Sequence, residues 1–260
     1  MNIAVYASTD SRTRYIYEEL VRRGHVVRLW EEGDAPRAGE ALILPIPSTR
    51  DGVHINAPSG DPLTKVVTQF ACVLGAGLPP SLLTHLRERG VTAWDLLQYE
   101  PFVLENARLT AEGAVALGLQ ATQTSFLGEK VAILGYGRIG SYLARYLLAL
   151  GAEVRVFARR EIAREAALHE GALAFDTLSF APLADCALLY NTVPEKLLSV
   201  SDIVPTRLTH LIELASGRGN LPTTDRPVID GQGLPGKLLP LSAGILVANT
   251  FDTLRKEVTI

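Results

Sequence analysis

The chain has 260 residues, of which 47% are hydrophobic and 20% are charged, and its formal net charge is −3. This composition predicts a soluble globular protein and argues against nucleic-acid binding, because no basic cluster with interleaved aromatic residues occurs. No apolar run is long enough to span a membrane, and the N-terminus lacks a basic region and a cleavage site, so we expect a cytoplasmic protein. Cys72 and Cys186 lie in apolar segments, which predicts buried thiols, no disulfide and no metal site.

The first hundred residues alternate short apolar runs with amphipathic ones. Strands are predicted at residues 2–6, 26–30, 41–44, 70–75 and 91–94, and helices at 11–23 and 79–89. Strands that alternate with helices pair in parallel through right-handed crossovers. The pattern therefore predicts a doubly wound, flavodoxin-like α/β domain.

Two loops of this domain follow predicted strands. The loop at residues 7–12 has no glycine, so it suits a small anion or a helix cap provided by Asp10 or Ser11 better than a pyrophosphate. The loop at residues 45–58 is rich in proline and polar groups, and loops after parallel strands are where ligands bind. The loop supplies one guanidinium group, from Arg50, and two hydroxyl groups, from Ser48 and Thr49, and these suit a carboxylate. An ordinary surface loop is the alternative.

A long helix is predicted over residues 98–122, between the two halves of the chain. Asn106 and Thr110 are four residues apart and share one helix face, and Glu112 lies nearby. These polar side chains are candidates to contact a substrate or the nicotinamide, and solvent exposure is the alternative for each.

A glycine-rich motif follows the strand predicted at residues 130–134 and precedes a helix at 138–150. Gly135 fits the tight turn, Gly137 lets a pyrophosphate approach the backbone, and Gly140 lets the helix pack on the strand. Free N–H groups at the helix start then bind the phosphates. We predict a dinucleotide site here.

The next predicted strand, residues 153–158, indicates which dinucleotide binds. An NAD-selective site usually carries an acidic residue at its end, whereas this chain has Arg159 and Arg160 and no acidic residue before Glu161. Two guanidinium groups suit a 2′-phosphate, so we predict NADP, with NAD less favoured. A solvated arginine pair is the alternative.

Further strands are predicted at residues 172–175, 186–190, 208–214 and 227–230, with helices at 161–170 and 241–256. The predicted architecture is a substrate and catalytic domain, residues 1–100 plus 241–260, and a Rossmann NADP-binding domain, residues 101–240. Two helices, about 99–122 and 241–256, join these doubly wound parallel-sheet domains. The candidate cofactor-binding residues are Gly135, Tyr136, Gly137, Arg138, Ile139, Gly140, Ala158, Arg159, Arg160, Asn191, Thr192, Val193, Ala215 and Ser216.

Several segments together resemble the family of the A-type subunit of dipicolinate synthase, found in spore-forming bacteria. They are ILPIPSTRDGVHINAP at residues 43–58, ENARLTAEGAV at 105–115, VAILGYGRIG at 131–140, NTVP at 191–194, ELAS at 213–216 and GQGLPGKLLPLSAG at 231–244. The resemblance implies oxidation of a dihydrodipicolinate-type ring, formed from a lysine-pathway intermediate, to pyridine-2,6-dicarboxylate with NADP. It also implies a small flavoprotein-like partner, the B-type subunit of the synthase. A homo-oligomer is possible.

The implied substrate carries two carboxylates and loses a hydride and a proton. It therefore needs a group that binds the second carboxylate and a general base. Arg12 and Lys237 are alternatives for the second carboxylate, and Lys237 also counts as a catalytic candidate. The general base is His54, Asp51 or Glu112, and the sequence does not choose among them. Two other functions stay open: an NADP-dependent dehydrogenase of another small carboxylic acid, and a non-catalytic NADP-binding scaffold for a flavoprotein.

Overall fold

A computed structural model describes residues 1–31, 33–217 and 219–257. The chain divides into two compact units, Met1–Asn106 with Pro235–Ile260 and Ala107–Leu234. Each unit is built on one parallel sheet with helices on both faces. This arrangement confirms the predicted fold class. Within the described ranges, no helix is long and apolar enough to cross a membrane.

The first unit contains a five-stranded sheet. Its strands are β1 (Asn2–Tyr6), β2 (Val26–Trp30), β3 (Ala41–Ile43), β4 (Cys72–Gly75) and β5 (Thr92–Asp95). Their order is β2-β1-β3-β4-β5, and all pairings are parallel. This is the flavodoxin-like order, in which the winding direction changes between β1 and β3. Ligands of such sheets bind beyond the carboxyl ends of the strands at that point.

The helices of the first unit are α1 (Arg12–Arg22), α2 (Leu63–Val67), α3 (Pro80–Glu88) and α9 (Pro240–Glu257). Successive strand residues point to opposite faces, so Ile3 packs in the core with α1 and α9, and Ala4 in the core with α2 and α3. A Cβ atom at Gly244 would lie 2.7 Å from Tyr15 Cβ, which explains why α9 carries a glycine where it meets α1.

The second unit contains a six-stranded sheet. Its strands are β6 (Lys130–Leu134), β7 (Glu153–Phe157), β8 (Leu173–Phe175), β9 (Leu188–Asn191), β10 (His210–Glu213) and β11 (Val228–Asp230). The order is β11-β10-β9-β6-β7-β8, with every pairing parallel. This is the Rossmann order, with its change of winding direction between β6 and β9.

The remaining helices are α4 (Glu100–Thr122), α5 (Arg138–Ala149), α6 (Glu161–His169), α7 (Val200–Ile203) and α8 (Leu234–Leu238). Tyr190 of β9 fixes α4 on the second sheet, since its hydroxyl donates to Ala114 O at 3.0 Å and lies over Gly118. A Cβ atom at Gly118 would overlap that hydroxyl, at 1.9 Å.

Element bounds differ from the predicted ones by one or two residues at most ends. The largest consequence concerns Asn191, which was predicted in a loop and is the last residue of β9, opposite Leu134. Three short helices were not predicted, α2, α7 and α8. Each has five residues or fewer, which is too short for a helical period to show in the sequence.

Candidate functional site

The glycine-rich turn joins β6 to α5 at the change of winding direction in the second sheet. Gly135 has a φ of +91°, which favours glycine, and a Cβ atom there would lie 2.5 Å from Thr192 Oγ1 and 2.7 Å from Val193 Cγ2. A Cβ atom at Gly140 would lie 2.3 Å from the carbonyl oxygen of Gly135. Both glycines are therefore required by packing within the turn.

Gly137 differs from the other two glycines because nothing surrounds its missing side chain. It is the N-cap of α5, and its φ is −92°. Apart from its chain neighbours and the backbone of α5, no heavy atom of the described residues lies within 4 Å of the place where a Cβ would stand. No side chain caps the helix start, so the first N–H groups of α5 face that open space with the positive end of the helix dipole. A pyrophosphate fits this cradle, and a methyl group would fill it.

The non-glycine residues of the turn fix it to the neighbouring elements. Tyr136 donates its hydroxyl hydrogen to Glu170 Oε2 at 2.8 Å, and Glu170 is paired with Arg145 at 2.6 Å. Burial, followed by the hydrogen bond to Glu170, raises the pKa of Tyr136. Ile139 packs against the core of the unit, whereas Arg138 is exposed at the start of α5.

Two arginines follow β7, the strand next to β6. Arg159 and Arg160 are both exposed, and their backbone is held because Arg164 donates from Nη1 to the carbonyls of Ala158 and Arg159 at 2.8 Å. Arg159 lies 3.7 Å from Glu195, a distance that leaves a weak pairing at the surface. Among the described residues, no ion pair of Arg160 is found. Such a fixed turn with extended guanidinium groups suits phosphate.

The ends of β9 and β10 carry a buried polar cluster. Asn191 donates from Nδ2 to Glu213 Oε1 at 2.9 Å and to Val193 O at 3.0 Å, and its Oδ1 accepts from Val193 N at 3.0 Å. Thr192 donates to Leu134 O at 2.7 Å. The cluster therefore fixes the loop after β9, whose side chains contact Gly135.

Glu213 was not among the predicted site residues. It is 7% exposed, its Oε1 accepts from Ala215 N at 3.1 Å, and its Oε2 is buried without a hydrogen-bond partner within residues 1–31, 33–217 and 219–257. Burial raises the pKa of Glu213, and the hydrogen bonds from Ala215 and Asn191 oppose this. The only available sequence signal was an acidic residue at the end of an apolar strand.

The loop after β10 is held through its backbone. Gln232 donates from Nε2 to the carbonyls of Ala215, at 2.8 Å, and of Gly217. Asn220 donates to Ser216 O at 3.2 Å. The two predicted cofactor residues of this loop, Ala215 and Ser216, are thus kept at the carboxyl edge of the sheet.

In the first unit, Arg12 lies between the loops that follow β1 and β3. It is 8% exposed, its guanidinium is paired with Asp10 at 2.6 Å, and Nη2 also donates to Ile46 O. A Cβ atom at Gly236 would lie 2.9 Å from Arg12 Nε, so the backbone of α8 covers the guanidinium. Asp10 balances the charge of this candidate carboxylate-binding residue.

The loop after β3 forms an ordered turn around Asp51. Its Oδ1 accepts from Val53 N and His54 N at 2.8 Å and from Thr49 Oγ1 at 3.1 Å, and its Oδ2 lies 2.7 Å from His54 Nδ1. The hydrogen bonds from His54 hold the pKa of Asp51 well below its usual range. Since the carboxylate only accepts, Nδ1 of His54 donates and Nε2 keeps its lone pair in the neutral ring. The pair is half exposed.

The neighbouring candidates differ in how free their polar groups are. Ser48 is fully buried, and its hydroxyl donates to Pro45 O at 3.0 Å and accepts from Ala76 N at 2.7 Å. Arg50 is exposed, and only its Nε is bonded among the described residues, to Asn56 Oδ1 at 3.0 Å. Arg50 therefore has both terminal nitrogens available for a carboxylate, whereas Ser48 holds the loop on β4.

The remaining candidates lie on α4 and α8. Asn106 is half-buried and Thr110 is 7% exposed. Glu112 pairs with Arg108 at 2.5 Å and accepts from Tyr146 Oη at 3.2 Å, so this candidate base already has two donors. Lys237 is exposed in the last turn of α8.

Comparison with known proteins gives one match to part of the chain and others to most or all of it. Residues 102–197 match the family model of the D-isomer specific 2-hydroxyacid dehydrogenase, NAD binding domain. The A-type subunit of dipicolinate synthase from Bacillus subtilis (strain 168) is 28% identical over 238 residues, which cover 84% of this chain and 78% of that protein. The chain resembles the A-type subunit of dipicolinate synthase.

Solved structures of the same synthase subunit share the fold. The crystal structure from Bacillus subtilis gives a TM-score of 0.79 at 23% identity and covers 100% of this chain and 97% of that one. The structure of the dipicolinate synthase protein from Bacillus halodurans gives 0.79 at 23% identity, with 97% of each chain covered. These similarities confirm the predicted resemblance and the predicted domain of an NAD(P)-dependent dehydrogenase. The predicted site residues stay predictions.

Proposed function

We propose that the chain oxidises a dihydrodipicolinate-type ring to pyridine-2,6-dicarboxylate, with NADP as the hydride acceptor. The observation that carries the proposal is the similarity to the A-type subunit of dipicolinate synthase, which extends over 84% of the chain and so beyond the nucleotide-binding unit. The ring derives from a lysine-pathway intermediate. A flavoprotein-like B-type subunit is the proposed partner, since the relative is itself named as one subunit of a synthase.

The cofactor residues bind phosphate at two places. The N–H groups at the start of α5 bind the pyrophosphate in the space beside Gly137, because no side chain occupies it. Arg159 and Arg160 bind the 2′-phosphate that distinguishes NADP from NAD. When bound, NADP supplies the acceptor for one hydride.

Substrate binding is assigned to the loops of the first unit. Arg50 binds one carboxylate through its two terminal nitrogens, which have no partner among the described residues. Arg12, fixed by Asp10 and Ile46, and Lys237 are the alternatives for the other carboxylate. Thr49 contributes to the loop by its bonds to Asp51 and Gly52, and Asn106 and Thr110 remain proposed substrate contacts.

The proton leaves through the Asp51–His54 pair. Asp51 accepts from four donors and orients the ring through His54 Nδ1, so that Nε2 of His54 accepts the substrate proton as general base. Glu112 is a weaker candidate, because Arg108 and Tyr146 already occupy its carboxylate. Loss of one hydride and one proton converts the dihydropyridine ring to the aromatic one.

The test is turnover by the isolated full chain. Freshly prepared dihydrodipicolinate and NADP should give dipicolinate and NADPH in equal amounts, measured by chromatography and by nicotinamide absorbance. Formation of neither, by a folded protein that binds NADPH, would leave the non-catalytic scaffold for a flavoprotein as the better description.

A second candidate is an NADP-dependent dehydrogenase of another small carboxylic acid. The match of residues 102–197 to the 2-hydroxyacid dehydrogenase domain favours it. A panel of 2-hydroxy acids and of shikimate- and alanine-type substrates separates the two, since this candidate predicts faster turnover of a panel member than of dihydrodipicolinate.

A further inference from the structure

Glu213 combines burial with an incomplete set of hydrogen bonds. It ends β10, is 7% exposed, and its Oε1 accepts from Asn191 Nδ2 and Ala215 N. Its Oε2 is buried with no partner among the described residues. Buried polar atoms are nearly always satisfied, and a buried carboxylate without a cation is disfavoured. A neutral amide would keep the Oε1 acceptor for Asn191 and Ala215 without the charge, so the hydrogen bonds alone do not explain a glutamate.

The contacts of Glu213 lead to the glycine-rich turn in two steps. Glu213 accepts from Asn191, and Asn191 bonds both the N–H and the carbonyl of Val193. Val193 and Thr192 are the residues that a Cβ atom at Gly135 would touch, at 2.7 Å and 2.5 Å. The carboxyl group therefore sets the position of the loop that contacts the cofactor turn.

The charges around Glu213 favour its protonated form. Asp230, at the end of the neighbouring strand β11, is the charged group that acts on it there, and its negative charge opposes ionisation. Asn191 on β9 and Asn220 contribute only neutral amides. No described cation forms an ion pair with Glu213. Burial raises its pKa, in agreement with this geometry.

We infer that Glu213 is a positioning residue that holds the Asn191–Val193 loop against the cofactor turn, and that it does so as a neutral carboxylic acid. The inference rests on the dinucleotide site proposed above. The proton of neutral Glu213 is on Oε2, so the carbonyl-type Oε1 remains the acceptor for Asn191 and Ala215. Ionisation would place a charge without a described cation at the edge of the sheet.

The first experiment compares Glu213→Gln with Glu213→Ala by equilibrium titration with NADPH. Glutamine retains a neutral Oε1 acceptor, so its Kd should stay within about threefold of wild type, whereas alanine removes the acceptor and should raise Kd about tenfold or more. Glu165→Gln, on the exposed face of α6, is the matched control. Unchanged binding by Glu213→Ala would overturn the positioning role.

The second experiment needs no cofactor and follows unfolding by denaturant against pH. An acid whose folded pKa is raised binds more protons when folded, so stability is lost as pH rises from about 4.5 toward the folded pKa. Wild type should therefore lose stability relative to Glu213→Gln by up to about tenfold in the unfolding constant per pH unit in that window. A constant difference above pH 4.5 would show an ionised Glu213 and overturn the neutral form.

The two experiments distinguish failure of the Glu213 inference from failure of the proposed function. If the chain did not bind NADPH at all, the titration would contradict the dinucleotide proposal, while the pH dependence of unfolding would still decide the state of Glu213. Asn191→Ala combined with Glu213→Ala completes a double-mutant cycle in NADPH binding. Additive effects on binding would contradict action of Glu213 through Asn191.

Discussion

Gly137→Ala separates cofactor binding from folding more cleanly than any other change in the glycine-rich turn. Gly137 has an extended backbone, and no heavy atom of the described residues outside the adjoining backbone lies within 4 Å of the position that a Cβ would take. The added methyl group therefore meets open space. At Gly140 the same methyl group would stand 2.3 Å from a backbone carbonyl oxygen, which cannot rotate away. The two variants therefore differ in what alanine disturbs.

The magnitudes follow from this geometry. Gly137→Ala should change the free energy of unfolding by less than about 1 kcal/mol, because no packing is disturbed. Displacing a phosphate from one backbone donor loses roughly 1.5–3 kcal/mol of binding free energy, the range for hydrogen bonds to charged groups. That loss corresponds to a Kd for NADPH raised about 10- to 150-fold. Gly140→Ala should cost about 1–3 kcal/mol of stability from overpacking.

Denaturant unfolding and NADPH titration of both variants measure these quantities on the same protein samples. The expected pattern is a stable Gly137→Ala that binds weakly and a destabilised Gly140→Ala. A Gly137→Ala variant with wild-type stability and wild-type Kd would refute the assignment of the space beside Gly137 to the pyrophosphate.

Three further changes test the other proposed roles. The double substitution of Arg159 and Arg160 by alanine should weaken NADPH about tenfold or more and leave NADH unaffected, because only NADP carries the 2′-phosphate; equal losses for both nucleotides would contradict this. Arg50→Ala should raise the substrate KM about tenfold while the NADP KM stays constant, and equal small effects on both would remove Arg50 from the substrate site. His54→Gln should lower kcat about 100-fold without loss of NADPH binding, whereas retained kcat would exclude His54 as the base.

The periodic parts of the fold were predictable from sequence. Buried strands and amphipathic helices have a period that shows in the residues, and the G-x-G-x-x-G indicated a strand, a turn and a helix at residues 130–150. The strand order of the second sheet, and with it the change of winding direction, is seen only in the structure. Asn191 was missed as a strand residue because a polar side chain at a strand end reads as loop. Its burial becomes evident only when Glu213, 22 residues later, is seen beside it.

The candidate site was less predictable, because its groups are separated in sequence and satisfied by distant partners. Ser48 and Arg50 looked alike as polar loop residues, yet Ser48 bonds to the backbone of Ala76, 28 residues away, and Arg50 stays exposed. Pairing of Arg12 with Asp10 was also hidden, since Asp10 reads as a helix cap. Asp51 and His54 were alternatives for the base, and their pairing is seen only in the structure, although three residues separate them.

Equilibrium titration of the purified full chain with NADPH and, separately, NADH tests the central claim most directly. The predicted result is saturable binding of one NADPH per chain, with NADH bound at least about tenfold more weakly. Absence of saturable binding of either nucleotide, by protein that unfolds cooperatively and is therefore folded, would contradict the claim.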